Sequence, residues 1–225
     1  MQLEQDLRCE GVAQVGYADL HNVLPPRYAA LPRAVVLVWR LCDGVLDEVA
    51  SGGEPTFTYF QHYRAVNATL DRLTLRVATL LERDGYRALP IAASQSVHDN
   101  GAYAGAFQHK TAAVRAGLGW IGKNALFVSP EFGPRVRLAT VLTDHPLVPE
   151  RVRRDESVSR CGACTRCVSA CPAKALSGTE YQSGMPREAL FDAHACSEHM
   201  KQAYQMIGRG AVCGLCAAVC PWGRR

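Results

Sequence analysis

Cysteines at regular spacing dominate the chemistry available to the last quarter of this chain. Eight of its ten cysteines fall between positions 161 and 220. They are Cys161, Cys164, Cys167, Cys171, Cys196, Cys213, Cys216 and Cys220, and prolines follow the fourth and the last. Three cysteines two residues apart can surround one iron-sulfur cube from a tight turn, while a fourth after three intervening residues points its sulfur at a second cube. The spacing therefore predicts two 4Fe-4S clusters.

The crossed ligation of two-cluster ferredoxins predicts which cysteines share a cluster. The first cluster is assigned to Cys161, Cys164, Cys167 and Cys220. The second is assigned to Cys171, Cys196, Cys213 and Cys216, with Cys196 unusually far along the chain from Cys213. This crossing would tie the two ends of the segment together.

Zinc and disulfides are the alternatives for these cysteines. A zinc site favours paired Cys-x-x-Cys knuckles over three cysteines in a row followed by Cys-Pro. A disulfide framework requires a secreted chain. Cys9 and Cys42 have no partner spacing and are expected to be ordinary thiols. The clusters are the favoured interpretation.

Length and composition indicate a globular protein with one domain of ordinary size and a smaller one. The chain has 225 residues, of which 48% are hydrophobic. A net charge of +4 gives little support for nucleic-acid binding. The amino terminus lacks the pattern of a signal or transit peptide, and no stretch has the apolar length of a membrane span. We expect a cytoplasmic protein with no membrane partner.

The elements that must position the cysteines form a mixed α/β layer. Hydrophobic patterns predict helices over about 58–83 and 107–117, and strands over 34–39, 89–93, 125–128 and 136–142. Residues 1–31 are predicted as a short helix and a loop, 43–55 as a loop, and 125–142 as a hairpin. A linker is expected at 146–159. The predicted fold class is α+β, with an α/β domain at 1–150 and a ferredoxin-like double-cluster domain at 151–225.

A glycine-rich stretch precedes the cysteines. Residues 115–124 contain three glycines and a tryptophan and end in Lys123 and Asn124. Such glycine density lets a backbone approach a bulky group or make a tight turn, and the two polar side chains could donate to phosphate or amide groups. A purely structural turn is an equal alternative.

Several motifs in this order resemble the epoxyqueuosine reductase family, over residues 31–222. They are Ala116-Gly-Leu-Gly-Trp-Ile-Gly-Lys-Asn124, Ser129-Pro-Glu-Phe-Gly133, the Cys-Gly-x-Cys-Thr-Arg-Cys-x-x-x-Cys-Pro run and the closing Val219-Cys-Pro-Trp222. The resemblance implies a nitroreductase-like domain that binds base-off cobalamin, supplied with electrons by the two clusters. Reductive dehalogenases are relatives of this family in architecture.

The resemblance also implies a cofactor site. Corrinoid contacts carried over by position fall at Tyr103, Phe127, Leu138, His199 and Gly214, beside Lys123 and Asn124. An external donor of the ferredoxin or flavodoxin type would supply electrons. The substrate would be a small molecule or a modified nucleoside of the queuosine pathway. The chain has no counterpart of the helical-repeat domain of the family after residue 225, so a tRNA substrate is doubtful.

The chain departs from the family in its catalytic loop. Tyr103 stands where the family has a proton-donating Asp, and His109 and Lys110 stand where it has a Glu-Arg pair. A tyrosine beside a lysine resembles the proton donor of reductive dehalogenases, since a cation lowers the cost of a phenolate. We therefore predict Tyr103 and Lys110 as catalytic, with Asp99 as a substitute donor.

Other functions remain open from the residues alone. The protein could transfer electrons to a partner, or reduce a corrinoid for another enzyme without substrate chemistry of its own. The first domain could bind cobalamin, a flavin or nothing.

Overall fold

The structure, a computed structural model, describes residues 2–95, 103–147, 152–153, 158–210 and 212–223. The strands are β1 (Gln14–Asp19), β2 (Arg33–Arg40), β3 (Ala88–Ile91), β4 (Trp120–Ile121), β5 (Phe127–Val128), β6 (Val136–Thr143) and β7 (Val152–Arg153). The helices are α1 (Gln2–Cys9), α2 (Asp43–Gly52), α3 (Phe57–Arg83), α4 (His109–Arg115), α5 (Arg166–Ser169), α6 (Ala193–Tyr204) and α7 (Leu215–Ala218).

Five of the strands form one sheet in the order β3-β6-β2-β1-β7. Every pairing in it is antiparallel except that of β1 with β7. The prediction of a mixed layer rather than a series of parallel crossovers is confirmed, and so is the central position of β2.

Helices cover both faces of the sheet. Along β2, Leu37 faces the core that contains Leu70 and Val77 of α3. Its neighbours Val36 and Val38 face a second core that contains residues of α4. Because successive side chains of a strand point to opposite faces, an uninterrupted apolar strand is the pattern that two covered faces require.

Helix α3 agrees with its predicted bounds to within one residue at each end. The Thr56 side chain accepts a hydrogen bond from the Tyr59 amide and so caps the first turn. Gly85, at φ +87°, follows the last turn in a left-handed conformation that suits glycine. The apolar stripe of the helix faces the sheet as predicted.

The loop predicted over 43–55 is wrong, because most of it is helix α2. The glycines there had indicated a break. In the structure, however, Gly53 is the left-handed residue that ends the helix, and Gly44 lies in open space. Leu46 and Val49 are buried one turn apart, which supplies the packing that offsets the poor helix propensity of glycine.

The loop predicted at the end of 1–31 is wrong in part, because it contains strand β1. Its sequence, Gln-Val-Gly-Tyr-Ala-Asp, has a glycine at its centre and little alternation. A Cβ atom at Gly16 would lie 2.8 Å from the Cβ of Ala116, so the glycine allows the segment after α4 to approach the sheet closely.

The hairpin predicted over 125–142 is also wrong. Strand β5 pairs with β4, whereas β6 pairs with β2 and β3 in the large sheet. The turn at 129–134 closes on itself through a bridge between Ser129 and Gly133. Within the predicted linker, β7 joins the large sheet, and residues 148–151 and 154–157 lie outside the described part.

The cysteine segment is built from short helices and turns. Helices α5 and α7 have four residues each, and α6 has twelve. Short 3₁₀ turns at Arg187–Ala189 and Gln205–Ile207 flank α6. None of the described helices combines the length and apolarity that crossing a bilayer requires.

A buried arginine joins this segment to the α/β layer. The Arg135 guanidinium forms ion pairs with Asp43 at 3.3 Å and Asp47 at 2.7 Å. It also donates to the carbonyl oxygen of Ala218 in α7 at 3.2 Å. The arginine therefore connects the sheet, α2 and α7 at one point.

Candidate functional site

Four cysteines interact electrostatically around the predicted first cluster. Burial, with a contribution from the thiols of Cys167, Cys161 and Cys164, raises the pKa of Cys220 to about 11. Burial and the thiols of Cys161 and Cys164 also raise the pKa of Cys167. Cys220 is thus brought to the three-cysteine turn from the far end of the segment.

The remaining four cysteines interact in the same way. Burial, together with Cys213 and Cys171, raises the pKa of Cys196 to about 11. Burial raises the pKa of Cys216 above its usual range, and Cys213, Cys196, Cys167 and Cys171 raise it further. The second set therefore adjoins the first, and the sequence gap before Cys213 is closed by α6. The ligand sets themselves stay predictions.

The cysteines are arranged around a volume, as cluster ligands are, and their thiols must lose protons when a cluster binds. Within the described residues, no three His, Cys, Asp or Glu side chains converge on one metal-ion position. A cube takes one thiolate at each of four irons, so its cysteines surround a volume rather than a point. Because burial favours the neutral thiol, cluster binding must displace protons from these cysteines.

The glycine-rich stretch packs against the cluster loops. A Cβ atom at Gly122 would lie 3.5 Å from the Sγ of Cys161. The Lys123 ammonium donates to the carbonyl oxygen of Gly162 at 2.5 Å, and the Asn124 amide donates to that of Cys216 at 3.4 Å. This stretch holds the loops of both predicted clusters, a role that its sequence did not indicate.

A cleft of about 840 Å³ opens beside the second set of cysteines. Six of the predicted catalytic or cofactor residues line it, together with Cys196 and Cys216. These six are Tyr103, Lys110, Asn124, Phe127, Leu138 and Gly214. Side chains from the sheet, α4, α6 and α7 therefore meet around one space.

Tyr103 is held by α6 and by the turn before it. Its hydroxyl donates to Glu198 at 3.4 Å, and the Lys201 ammonium lies 5.8 Å from the centre of its ring. Arg187 donates to its carbonyl oxygen at 2.9 Å. Its φ of +60° is unusual for a bulky residue and indicates a backbone held by its surroundings.

Lys110 has different partners from those of Tyr103. Its ammonium donates to the carbonyl oxygen of Ala125 at 3.0 Å. Burial, with the charge of Arg187 adding to it, lowers the pKa of Lys110 to about 8. The cation over the Tyr103 ring is Lys201, so the expected pairing of Tyr103 with Lys110 is replaced in this structure by one with α6.

Two further lining residues, Arg137 and His109, were not among the predicted catalytic or cofactor residues, although His109 was noted at the position of the family's Glu. Arg137 lies 4.3 Å from the centre of the Tyr63 ring and donates to Asn67 at 2.9 Å. His109 bonds through one ring nitrogen to the Thr140 hydroxyl and through the other to the Ala92 carbonyl oxygen. Arg137 is the one charged residue of strand β6, which was the available signal for it.

The other predicted residues lie elsewhere. Lys123 contacts the cluster loop, and His199 stacks edge-on against Tyr204, with ring centres 5.3 Å apart. Neither is among the cleft-lining residues that the structure describes. Their proposed corrinoid contacts therefore have no support from this geometry. Asp99 lies outside the described residues.

Comparison with known proteins agrees with this organisation. A family model described as a 4Fe-4S double cluster binding domain matches residues 160–223. Epoxyqueuosine reductase of Listeria monocytogenes is 31% identical over 156 residues, which are 68% of this chain and 37% of that protein. Tetrachloroethene reductive dehalogenase of Desulfitobacterium hafniense is 29% identical over 163 residues, or 70% of this chain and 28% of that protein.

Solved structures show the same fold. A catabolic reductive dehalogenase variant matches with a TM-score of 0.72 and 20% identity over 99% of this chain and 31% of its own. An epoxyqueuosine reductase structure matches with a TM-score of 0.59 and 19% identity over 99% of this chain and 64% of its own.

The chain thus spans about a third of the length of these curated relatives. The predicted resemblance and the double-cluster domain are both confirmed. The chain is therefore similar in sequence to epoxyqueuosine reductases and in fold to both groups of relatives, and its residues 160–223 match a double 4Fe-4S cluster binding domain.

Proposed function

We propose that this chain is an iron-sulfur reductase that passes electrons through its two clusters to a corrinoid in the cleft, where a substrate is reduced. The lining of the cleft carries the proposal. Cys196 and Cys216, assigned to the second cluster, stand there with Tyr103 and Lys110. A cofactor in the cleft would lie between an electron source and groups that can donate protons.

The residues of the cleft fit a corrinoid. Its volume is near the upper end of the range typical of small-molecule sites. Among the lining residues that the structure describes, His109 is the one imidazole, and Thr140 and Ala92 engage both its nitrogens. His109 is therefore a structural residue, and the other lining side chains would hold the cobalamin that the resemblance implies. One reductive dehalogenase of similar fold is described as performing B12-dependent dehalogenation.

The corrinoid, when bound, would supply a metal centre that takes up electrons and delivers them to the substrate. The Tyr103 hydroxyl is the proton donor, held by Glu198 and Lys201. Lys110 keeps a positive charge at the cleft wall near neutral pH, and loses it above about pH 8. Phe127 and Leu138 exclude water from this wall.

Residues 1–150 form the corrinoid-binding domain of this proposal, and residues 151–225 form the cluster domain. An external ferredoxin or flavodoxin would supply electrons. The substrate would be a small molecule or a modified nucleoside, and one neighbouring structure contains an epoxyqueuosine-modified tRNA stem loop. Iron-sulfur clusters held by cysteine thiolates suit a compartment that keeps cysteines reduced, so we place the protein in the cytoplasm.

Titration with cobalamin tests the proposal. The full chain, reconstituted anaerobically with iron and sulfide, is titrated with cob(II)alamin while its electron paramagnetic resonance spectrum is recorded. We expect conversion of the base-on to the base-off signal at one equivalent per chain. Unchanged cobalt signals, with both clusters present, would exclude the corrinoid and leave an electron-transfer protein.

A further inference from the structure

Lys123 is a buried lysine whose ammonium group contacts the loop of the first cluster. The residue is only 9% exposed, and its Nζ lies 2.5 Å from the carbonyl oxygen of Gly162. Gly162 stands between Cys161 and Cys164, two predicted ligands of that cluster. Gly122, which precedes Lys123 in the chain, is also close to this loop. A Cβ atom at Gly122 would lie 3.5 Å from the Cys161 sulfur.

Lys123 has no ion-pair partner among the residues that the structure describes, and one carbonyl oxygen is its hydrogen-bond acceptor there. Buried lysines are rare unless a counter-charge accompanies them, because transfer of a charge out of water is costly. Arg135, the other buried cation near the cluster segment, has Asp43 and Asp47 as counter-charges. Within the same described ranges, Lys123 lacks an equivalent carboxylate.

The predicted cluster would provide that counter-charge. A cube bound by four thiolates is anionic, and it becomes more negative when it accepts one electron, with no bond made or broken. A positive charge fixed in a dry site beside it stabilises the reduced form more than the oxidised form.

We propose that Lys123 is a positioning residue for the first cluster: the cluster is the counter-charge of its ammonium group, and that charge raises the reduction potential of the cluster. The inference rests on the proposed ligation by Cys161, Cys164, Cys167 and Cys220. It makes Lys123 a determinant of how readily the first cluster accepts electrons from the external donor.

Redox titration of the reconstituted full chain, followed by electron paramagnetic resonance, measures the effect. Lys123→Gln keeps a hydrogen-bond donor but removes the charge, Lys123→Met removes both, and Lys123→Arg keeps the charge. Arg166→Gln is the matched control, because Arg166 is an exposed cation next to Cys167 in the chain. Iron analysis checks that each variant holds both clusters, and Cys164→Ser identifies the signal of the first.

In Lys123→Gln and Lys123→Met we expect the ratio of reduced to oxidised first cluster to fall on the order of tenfold at a fixed potential, which corresponds to about 59 mV. Lys123→Arg should stay close to the wild type. Arg166→Gln should shift much less, since water screens an exposed charge. The second cluster should change less than the first in every variant.

An unchanged first-cluster potential in both neutral variants would overturn the role of Lys123, and so would an equal shift in Arg166→Gln. If the neutral variants lose the first cluster while Lys123→Arg retains it, the requirement for charge is upheld. A wild-type protein that holds no first cluster would instead overturn the proposed ligation, which separates the two failures.

Discussion

At the scale of single residues, the cleft wall fixes two groups by different means. Tyr103 is placed by contacts outside its own loop, from Arg187 and Glu198. His109 is placed by burial and by two hydrogen bonds inside the layer. The first arrangement leaves a hydroxyl at the cleft, whereas the second uses up both ring nitrogens. Chemistry is therefore expected from Tyr103 and structural support from His109.

Tyr103→Phe should separate substrate reduction from cofactor reduction. Loss of the hydroxyl removes the proposed proton donor, so we expect turnover of the substrate in the proposed reduction to fall by roughly 10²- to 10⁴-fold. Reduction of bound cobalamin should be unaffected. Tyr63→Phe is the control, because Tyr63 also lines the cleft but bonds to Ser94. Equal turnover in wild type and Tyr103→Phe would assign the proton to another group.

His109 should make the fold sensitive to acid. Burial lowers its pKa to about 4 from the ordinary 6.5, so the folded state keeps it neutral where the unfolded state is protonated. Its contribution to stability is complete above about pH 6.5 and is lost as the pH falls toward 4. The loss amounts to about 3 kcal/mol.

Unfolding by urea at several pH values measures this contribution. His109→Gln, which can still donate to the Ala92 carbonyl oxygen, should show a smaller loss of stability between pH 6.5 and 4. If His109→Gln loses as much stability in acid as the wild type, other groups control the pH dependence of unfolding.

At the scale of elements, glycines at chosen positions let helices and loops approach the cysteines. Gly214 precedes α7 at φ +76°, and a Cβ atom there would lie 2.5 Å from the Tyr59 ring. Tyr59 belongs to α3, so this contact seats the second-cluster segment on the α/β layer. The absence of a side chain at Gly214 therefore allows the start of α7 to approach α3 closely.

Gly214→Ala should impair binding of the second cluster. Gly210→Ala is a matched control, since Gly210 has nearly the same φ, +77°, but open space around its Cβ position. Both variants carry a backbone cost of roughly 1–2 kcal/mol, and Gly214→Ala adds the clash. Iron content after reconstitution should fall toward half in Gly214→Ala alone. Similar iron content in the two variants would contradict this contact.

Sequence patterns predicted the elements whose signal is local. Helix α3 has a long stripe and a cap, and β2 has an uninterrupted apolar run, so both were found. Helix α2 was missed because its packing depends on two buried residues, Leu46 and Val49, among glycines. The hairpin at 125–142 was wrong since strand pairing depends on distant partners, here β2 and β3.

The candidate site shows the same division. Cysteine spacing indicated two clusters without a structure, because ligand geometry is encoded in short intervals. The partners of Tyr103 and Lys123 depend on how α6 and the cluster loop fold back onto the layer. The spacing of residues in the sequence does not predict such long-range contacts.

At the scale of the whole molecule, Arg135 connects the layer to the cluster segment. Its side chain is 2% exposed, whereas the pair formed by Arg87 and Asp144 lies at the surface with the arginine 68% exposed. The carboxylates that pair with Arg135 are partly exposed, so its buried contact is the charged hydrogen bond to the Ala218 carbonyl oxygen, whereas an exposed ion pair contributes little. The two arginines therefore make a matched comparison.

Arg135→Met should loosen α7. Because this variant loses the charged hydrogen bond to the Ala218 carbonyl oxygen, we expect a loss of about 2 kcal/mol in the local opening free energy, on the order of 30-fold faster amide exchange in Leu215–Ala218. Arg87→Met should change the same amides by less than about 1 kcal/mol. Hydrogen exchange followed by mass spectrometry compares the two. Equal exchange in both variants would show that α7 is held by other contacts.

The close approach of Gly122 to Cys161 also bears on the order in which the first cluster site is assembled during synthesis. The ribosome completes the glycine-rich stretch before it makes the first cysteine turn, but the proposed first cluster needs Cys220, near the end of the segment. The glycine-rich stretch would therefore be in place while the first cluster site still lacks one ligand. Iron and sulfide could complete the cluster only after Cys220 is made, and an oxidant that reached the three earlier thiols first would block assembly.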